Sequence, residues 1–296
     1  MKRIEVKGNI PALVTPFKKN EEIDENALRE MVDYVIEGGA HAIFASGTVG
    51  SFYLMYPEER KRVGEIVIDQ ANGRVPVYLC TGGIFAKETM QVIKYAKDIG
   101  ADAAVVLTPY YIKVSDKELF EHFKNIAENS EIPIILYNNP PRSGINISPE
   151  IIEKLVLEID NIIALKDSSA NLIQFEEYVR RVGNKISLII GVDELMFASL
   201  IVGGKGMVNA VGNIVPDMVT KLYEEFQKGN FEKAKEIQNK LFILKKAFLA
   251  ATYPAPIMAA LNLIGKPGGY PRRPVLPVTK EQEAIIKDAL IAIGKL

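Results

Sequence analysis

Short apolar segments alternate with amphipathic segments of helical length over most of this chain. Several of the amphipathic segments begin with a side chain that can cap a helix, among them Asp24, Ser115 with Glu118 three residues later, and Ser148 before Pro149. The apolar segments predict strands at 10–14, 42–46, 75–80, 103–107, 132–137, 162–166, 186–191 and 206–210. The segments between them predict helices at 25–37, 57–70, 87–98, 116–129, 149–158, 172–182 and 194–202.

The strand segments are continuously apolar, which is typical of parallel strands that are covered on both faces. Eight strands, each followed by a helix, favour an α/β fold, a (β/α)₈ TIM barrel. A doubly wound open sheet also alternates strands and helices, but no Gly-x-Gly-x-x-Gly follows the first strand, so it fits less well.

The pattern becomes purely helical beyond residue 215, with segments at 217–227, 231–251, 256–264 and 280–293. We therefore predict a catalytic barrel of residues 1–215 and a C-terminal helical extension of residues 216–296 packed on it. The Pro/Gly-rich segment 266–271 interrupts the extension and predicts a surface loop.

Composition and charge narrow the function classes. The 296 residues include 36 basic and 37 acidic side chains, a net charge of −1 that argues against nucleic acid or an anionic membrane as partner. We find neither a run of about 18 apolar residues nor an apolar signal segment at the start, so we expect a cytoplasmic protein that does not span a membrane. The single cysteine, Cys80, predicts a buried thiol. With two histidines, His41 and His122, we predict no metal site and no Ser-His-Asp triad.

Lys166 closes the sixth predicted strand and precedes a polar turn. In a barrel, the carboxyl ends of the strands hold the reactive groups. A desolvated amine at this place can attack a ketone and form a Schiff base. The alternative interpretation is a strand-end lysine whose ammonium group reaches solvent.

Other strand ends carry compatible chemistry. The glycines and hydroxyls of segment 46–51 can hold a small anion, although a tight structural turn has the same composition. Tyr137 can transfer protons and Arg142 can bind a carboxylate, unless they are a core tyrosine and a solvated loop charge. Segment 203–206 could bind phosphate, but a helix cap with a close backbone approach fits it better.

Together these segments resemble the dihydrodipicolinate synthase/N-acetylneuraminate lyase family of pyruvate-dependent class I aldolases. The resemblance covers nearly the whole chain. The matching motifs are Ala12-Leu13-Val14-Thr15-Pro16-Phe17, Gly47-Thr48-x-Gly50, Thr108-Pro109-Tyr110-Tyr111, Tyr137-Asn138-x-Pro140, Lys166-Asp167-Ser168 and Gly203-Gly204-x-Gly206.

The resemblance implies roles for four catalytic residues. Lys166 is similar to the lysine that captures pyruvate as a covalent imine, so no separate cofactor is implied. Tyr137 looks like the tyrosine that moves protons at the imine carbon. Thr48 looks like the hydroxyl that links it to Tyr111, which in synthases of the family reaches across a dimer interface. The family's usual assembly, a homotetramer built as a pair of dimers, is implied as well.

Four further residues are implied in substrate binding. Gly191 and Val208 match positions that line the pyruvate pocket. Val49 stands where a second threonine usually contacts the pyruvate carboxylate, so backbone amides are left to hold that group. Arg142 matches the arginine with which dihydrodipicolinate synthases bind the carboxylate of aspartate semialdehyde.

Other departures from the pattern of the synthases concern the acceptor side and the feedback regulation. Ser51 replaces the customary Glu, and the pair Asp167-Ser168 is more frequent among aldolases of the family than among its synthases. Ile84 replaces an asparagine of the lysine feedback site.

We predict a lyase that condenses pyruvate with L-aspartate semialdehyde, a 4-hydroxy-tetrahydrodipicolinate synthase-like activity of lysine biosynthesis. One alternative is an aldolase that cleaves 2-keto-3-deoxy sugar acids to pyruvate and an aldehyde. Two others are a non-catalytic keto-acid binder and a metal-dependent aldolase. The metal-dependent aldolase fits less well, because two scattered histidines are a poor set of metal ligands.

Overall fold

The computed structural model describes residues 4–296, and these residues form two compact units. One unit consists of residues 4–8 and Tyr78–Val208, and the other of Asn9–Val77 and Asn209–Leu296. Residues 1–3 of the predicted barrel segment lie outside the described residues. The division of the chain at residue 215 stays a prediction.

Eight strands form one sheet in the order β1-β8-β7-β6-β5-β4-β3-β2. Ala12 pairs in parallel with Phe44, next to β1 and within β2, so the first and last strands of this order are also neighbours. The predicted (β/α)₈ barrel is therefore confirmed. The strands are β1 (Gly8–Pro11), β2 (Ile43–Ala45), β3 (Val77–Cys80), β4 (Ala103–Leu107), β5 (Ile134–Asn138), β6 (Ile162–Asp167), β7 (Ser187–Ile190) and β8 (Gly206–Asn209).

The helices that follow the strands agree closely with the predicted segments. Asp24, Ser115 and Ser148 each accept a hydrogen bond from the backbone N–H three residues later, so the three predicted caps are confirmed. These helices are α1 (Glu25–Glu37), α2 (Pro57–Ala71), α3 (Ala86–Asp98), α4 (Asp116–Glu128), α5 (Pro140–Ser143), α6 (Pro149–Glu158), α7 (Leu172–Val182) and α8 (Met196–Ile201). The short helix α5 was not predicted, because its two adjacent prolines were interpreted as a loop. Proline is nevertheless compatible with the first turn of a helix.

Four more helices follow, in the second unit: α9 (Pro216–Gln227), α10 (Phe231–Ala247), α11 (Ala255–Leu263) and α12 (Lys280–Ala292). Segment 266–271 is more tightly packed than a surface loop. A Cβ on Gly268 would lie 2.2 Å from the Met258 carbonyl oxygen, and the Tyr270 N–H donates to the Phe17 carbonyl. Glycine is therefore required here for a close backbone approach.

No single helix among residues 4–296 is long and apolar enough to cross a membrane, although the bent pair Phe231–Ala250 and Ala255–Leu263 passes by length and composition.

Gly203 and Gly206 play the structural part that the sequence favoured. Gly203 has a φ of +104° just after α8, and a Cβ on Gly206 would lie 2.4 Å from the backbone nitrogen of Gly8. The interpretation of this segment as a cap with a close backbone approach is confirmed.

Arg272 ties three segments of the second unit together. Its guanidinium group binds both carboxylate oxygens of Glu59, at 2.7 and 2.8 Å, and also donates to the carbonyls of Glu21 and Leu54. The side chains of Arg272 and Glu59 are only 12% and 27% exposed, so solvent screens this pair weakly. The hydrogen bonds from Arg272 lower the pKa of Glu59.

Replacing Arg272 with Ala is expected to lower the free energy of unfolding by about 2–4 kcal/mol at neutral pH, because it removes the guanidinium donors from a half-buried carboxylate and two carbonyls. The depressed pKa of Glu59 stabilises the fold above the unfolded-state value, and this contribution is lost as the pH falls through the folded-state value. The difference between the two proteins should therefore be full at neutral pH and shrink as the pH falls below the unfolded-state value of about 4.5. Urea unfolding at several pH values measures it. Arg273→Ala, at a position 85% exposed, is the control. A loss that does not vary with pH would contradict this role of the ion pair.

Candidate active site

The register between β5 and β6 sets the geometry of the candidate site. The pairing begins with Ile134 beside Ile162, shifts by one residue, and then places Tyr137 beside Lys166 and Asn138 beside Asp167. Directly paired residues of neighbouring strands project to the same face of a sheet, and successive residues project to opposite faces. Tyr137 and Lys166 therefore share one face at the carboxyl ends of these strands.

Lys166 and Tyr137 form a close buried pair on that face. The ammonium nitrogen lies 3.9 Å from the centre of the Tyr137 ring. The two residues are 4% and 2% exposed, so both side chains are buried. A lysine held in this way beside a phenol has the arrangement that imine chemistry requires, with an amine nucleophile and a group that can move a proton.

Gly191 leaves the space that the Lys166 side chain occupies. A Cβ at position 191 would lie 2.8 Å from Lys166 Cε and 2.1 Å from the Ser168 hydroxyl. The Gly191 backbone is also fixed to β6, because its N–H donates to the Asp167 carbonyl at 2.7 Å and its carbonyl accepts from Ser168. The structure therefore brings Gly191 together with Lys166, as the sequence predicts for a pocket residue.

The opposite face of the same two strands carries a hydrogen-bonded lock. The Asn138 amide donates to Asp167 Oδ1 at 2.8 Å, and its oxygen accepts from the Ile147 N–H. Ser169 donates to the other Asp167 oxygen at 2.7 Å. Burial raises the pKa of Asp167, and these hydrogen bonds oppose the increase. Asn138 and Asp167 thus fix the strand pairing that presents Lys166 and Tyr137.

Asn139 was not predicted as a site residue, yet it contacts the Tyr137 hydroxyl. Its amide nitrogen donates to the phenol oxygen at 2.8 Å, and the residue is 6% exposed. The sequence signal was the position itself, since Asn139 follows the strand end that carries Tyr137. It was overlooked because an Asn-Pro pair is ordinary in a turn.

Glu194 was also missed. It lies in the short turn after β7, and its Oε2 is buried and accepts no hydrogen bond from any residue between 4 and 296. A buried carboxylate oxygen at a strand end is able to bind a hydroxyl or ammonium group.

Segment 46–51 belongs to the second unit and forms a strained turn. Ser46 and Ser51 have φ values of 53° and 60°, a region that side chains other than glycine seldom adopt. Their hydroxyls and that of Thr15 are buried and have no hydrogen-bond partner among the described residues. Thr48 is half-buried and Val49 is buried, at 7% exposure. Backbone strain with unused hydroxyls is typical of a functional turn.

The remaining predicted residues differ in exposure. Arg142 lies in α5 and is exposed, and its backbone N–H donates to the Asn139 carbonyl. Tyr111 is 95% exposed with a φ of 77°, so its side chain does not share the burial of Lys166. Val208 is buried in β8.

Among residues 4–296 we find no group of three or more acidic, histidine or cysteine side chains placed to hold a metal ion.

Comparisons with known proteins give one consistent result. A 4-hydroxy-tetrahydrodipicolinate synthase of Methanocaldococcus jannaschii is 39% identical over 288 residues, which cover 97% of this chain and 99% of that protein. The crystal structure of dihydrodipicolinate synthase from Aquifex aeolicus superposes with a TM-score of 0.93 at 34% identity, over 97% of this chain and 98% of that one. A dihydrodipicolinate synthase from Acinetobacter baumannii, solved with pyruvate, gives a TM-score of 0.94 at 31% identity, over 98% and 100%.

These relatives confirm the predicted fold and the prediction of a 4-hydroxy-tetrahydrodipicolinate synthase-like enzyme. The family pattern described as the dihydrodipicolinate synthetase family matches residues 5–293, almost the full length. This chain belongs to the dihydrodipicolinate synthetase family.

Proposed function

We propose that this protein condenses pyruvate with L-aspartate semialdehyde through an imine on Lys166. The observation that carries the proposal is the buried pair of Lys166 and Tyr137, with the amine nitrogen 3.9 Å from the phenol ring. The names of its relatives support the same reaction.

The reaction begins when the neutral Lys166 amine attacks the keto carbon of pyruvate and forms a carbinolamine. The Tyr137 hydroxyl gives a proton to the departing oxygen, water leaves, and an imine to Lys166 remains. Loss of a proton from the pyruvate methyl group gives an enamine. Its nucleophilic carbon attacks the aldehyde carbon of the second substrate, and the alkoxide that forms takes up a proton. The amino group of the semialdehyde then attacks the imine carbon, closes the ring and displaces the Lys166 amine, which is free for the next turnover. Because the imine is made from the protein's own lysine, the proposal includes no separate cofactor.

Arg142 supports an acidic acceptor. It is an exposed cation in α5, the helix that directly follows β5 and its Tyr137. A guanidinium group can bind a carboxylate through two parallel hydrogen bonds, and aspartate semialdehyde carries such a group. Thr48 and Tyr111 as proton carriers, and Val49 and Val208 as pyruvate contacts, remain proposals based on the family resemblance.

One observation favours a second candidate. The buried Glu194 Oε2 lies after β7, where a negative charge suits a polyol better than a second carboxylate. An aldolase acting on 2-keto-3-deoxy sugar acids would use the same imine. The choice of acceptor separates the two functions.

We also propose that the protein acts in the cytoplasm as a tetramer built from two dimers. The Tyr111 side chain, 95% exposed, supports a role for this residue at a dimer interface.

Lys166→Ala is expected to abolish turnover and covalent trapping, because the amine is the only atom to which pyruvate is joined. The measurement is borohydride reduction in the presence of pyruvate, followed by peptide mass mapping. Lys113→Ala, which removes an exposed lysine of the same unit, is the matched control and should trap normally. Retained trapping in Lys166→Ala would contradict the mechanism. Absence of an adduct in the unmodified protein, with calorimetric binding of pyruvate, would favour the non-catalytic binder, and loss of activity with chelators would favour the metal-dependent aldolase.

Arg142→Ala is expected to raise the KM for L-aspartate semialdehyde by about 10–100-fold, the effect of losing a charge-assisted carboxylate contact. The KM for pyruvate and for D-glyceraldehyde should change much less. Steady-state kinetics with both aldehydes measures this, and Arg180→Ala, which removes an exposed arginine of α7, is the control. Equal losses with both aldehydes would remove Arg142 as the acceptor's carboxylate contact. A preference of the unmodified enzyme for glyceraldehyde would support the sugar-acid aldolase.

A further inference from the structure

We propose that Asn139 is a positioning residue for the Tyr137 hydroxyl, which it orients and polarises for proton transfer. The inference rests on the proposed function, because it assigns to Tyr137 the proton transfers of imine formation. It adds a residue for which the family resemblance implied no role.

The first support is the contact itself. The Asn139 side-chain nitrogen lies 2.8 Å from the Tyr137 oxygen and donates to it. Both residues are almost completely buried, at 6% and 2% exposure. A hydrogen bond between two buried groups is not weakened by competition with bulk water.

The second support is what the Asn139 side chain does not do. Asn139 is the N-cap residue of α5, a position at which an asparagine side chain ordinarily accepts a backbone N–H of the first turn. Here the side chain makes no capping hydrogen bond. The amide is instead turned toward Tyr137, two residues earlier in the chain.

The third support is the rigidity of the Asn139 backbone. Its carbonyl accepts from the N–H groups of Arg142 and Ser143, each at 3.0 Å, and from the Ser143 hydroxyl at 3.1 Å. Pro140 follows directly and restricts the conformation of the residue before it. The amide is therefore held in place by its own loop and does not have to be ordered during the reaction.

A donor at this place has a definite electrostatic effect. It occupies one lone pair of the phenol oxygen, so the phenol proton has to point elsewhere. It also stabilises the phenolate relative to the phenol, because a hydrogen bond donated to a charged form favours that form.

Charged side chains lie on two of the elements next to Tyr137, β6 and α5. The Lys166 ammonium nitrogen, on β6, lies 3.9 Å from the centre of the ring. The neighbour on β4 is the apolar Leu107, and Asp167 is paired with Asn138 on the opposite face of the strands. Arg142 of α5 is exposed.

The test compares Asn139→Leu, similar in size but without a donor, with Asn139→Asp, whose carboxylate can only accept from the hydroxyl. Asn139→Leu should lower kcat by about tenfold, change the KM for pyruvate by less than about threefold, and move the pH optimum of kcat upward by about one unit. Asn139→Asp should move the optimum further in the same direction. Asn161→Leu is the control for lost stability and should leave the pH profile unchanged. It removes a part-buried amide that donates to the backbone carbonyls of Ala127 and Ser130.

A double-mutant cycle with Tyr137→Phe decides whether Asn139 acts through Tyr137. The readout is the rate of borohydride-trapped imine formation. Asn139→Leu should have no further effect once the hydroxyl is gone, whereas a purely structural residue would slow the Tyr137→Phe enzyme by the same factor as the unmodified enzyme. An unchanged pH profile together with multiplying effects would overturn the proposal.

A direct measurement separates this inference from the proposed function. The protein is labelled with ¹³C at the tyrosine ζ carbon, the Tyr137 signal is assigned with Tyr137→Phe, and its titration is followed without substrate. The midpoint should move to higher pH in Asn139→Leu. If no pyruvate imine forms, the proposed function fails while this shift can still be observed, and if the shift is absent while the imine forms, the inference alone fails.

Discussion

The one-residue shift in register between β5 and β6 is the constraint on which the site depends. Without it, the pairing of Ile134 with Ile162 would continue to Tyr137 beside Leu165, and Lys166 would project to the other face from Tyr137. The shift leaves Ile163 as the additional residue and brings the amine and the phenol side by side. A reactive pair can thus be created by a local irregularity of the sheet.

The shifted register must be more stable than the regular one. Hydrogen bonds on the opposite face of β5 and β6 provide this stability. Asn138 and Asp167 are adjacent only in the shifted pairing, where the Asn138 amide donates a hydrogen bond of 2.8 Å to Asp167. In the regular pairing the Asp167 carboxylate would lose this donor while staying buried, and a buried carboxylate without its partners is costly. The buried acid therefore specifies the register, and through the register the position of Lys166.

The candidate site residues that the sequence predicted lie at the ends of strands. Lys166, Tyr137 and Gly191 follow or close apolar strands, and in a parallel barrel such positions converge whatever the exact pairing. The register shift was not predictable, because every residue from 132 to 137 and from 162 to 166 fits a regular strand equally well. The contact of Asn139 with Tyr137 was missed for a related reason. It depends on α5, a helix of four residues that was not predicted because it begins with two prolines.

The proposed imine-forming centre and the proposed acceptor contact use different kinds of position in this chain. Lys166, Tyr137 and Asn139 are all at least 94% buried and are fixed by strand pairing or by a turn hydrogen-bonded through its backbone. Arg142, the proposed acceptor contact, is exposed on a short helix. Substitutions at exposed positions usually cost little stability, whereas substitutions at buried positions usually cost more. A common imine-forming centre can therefore be combined with different aldehyde acceptors within one fold.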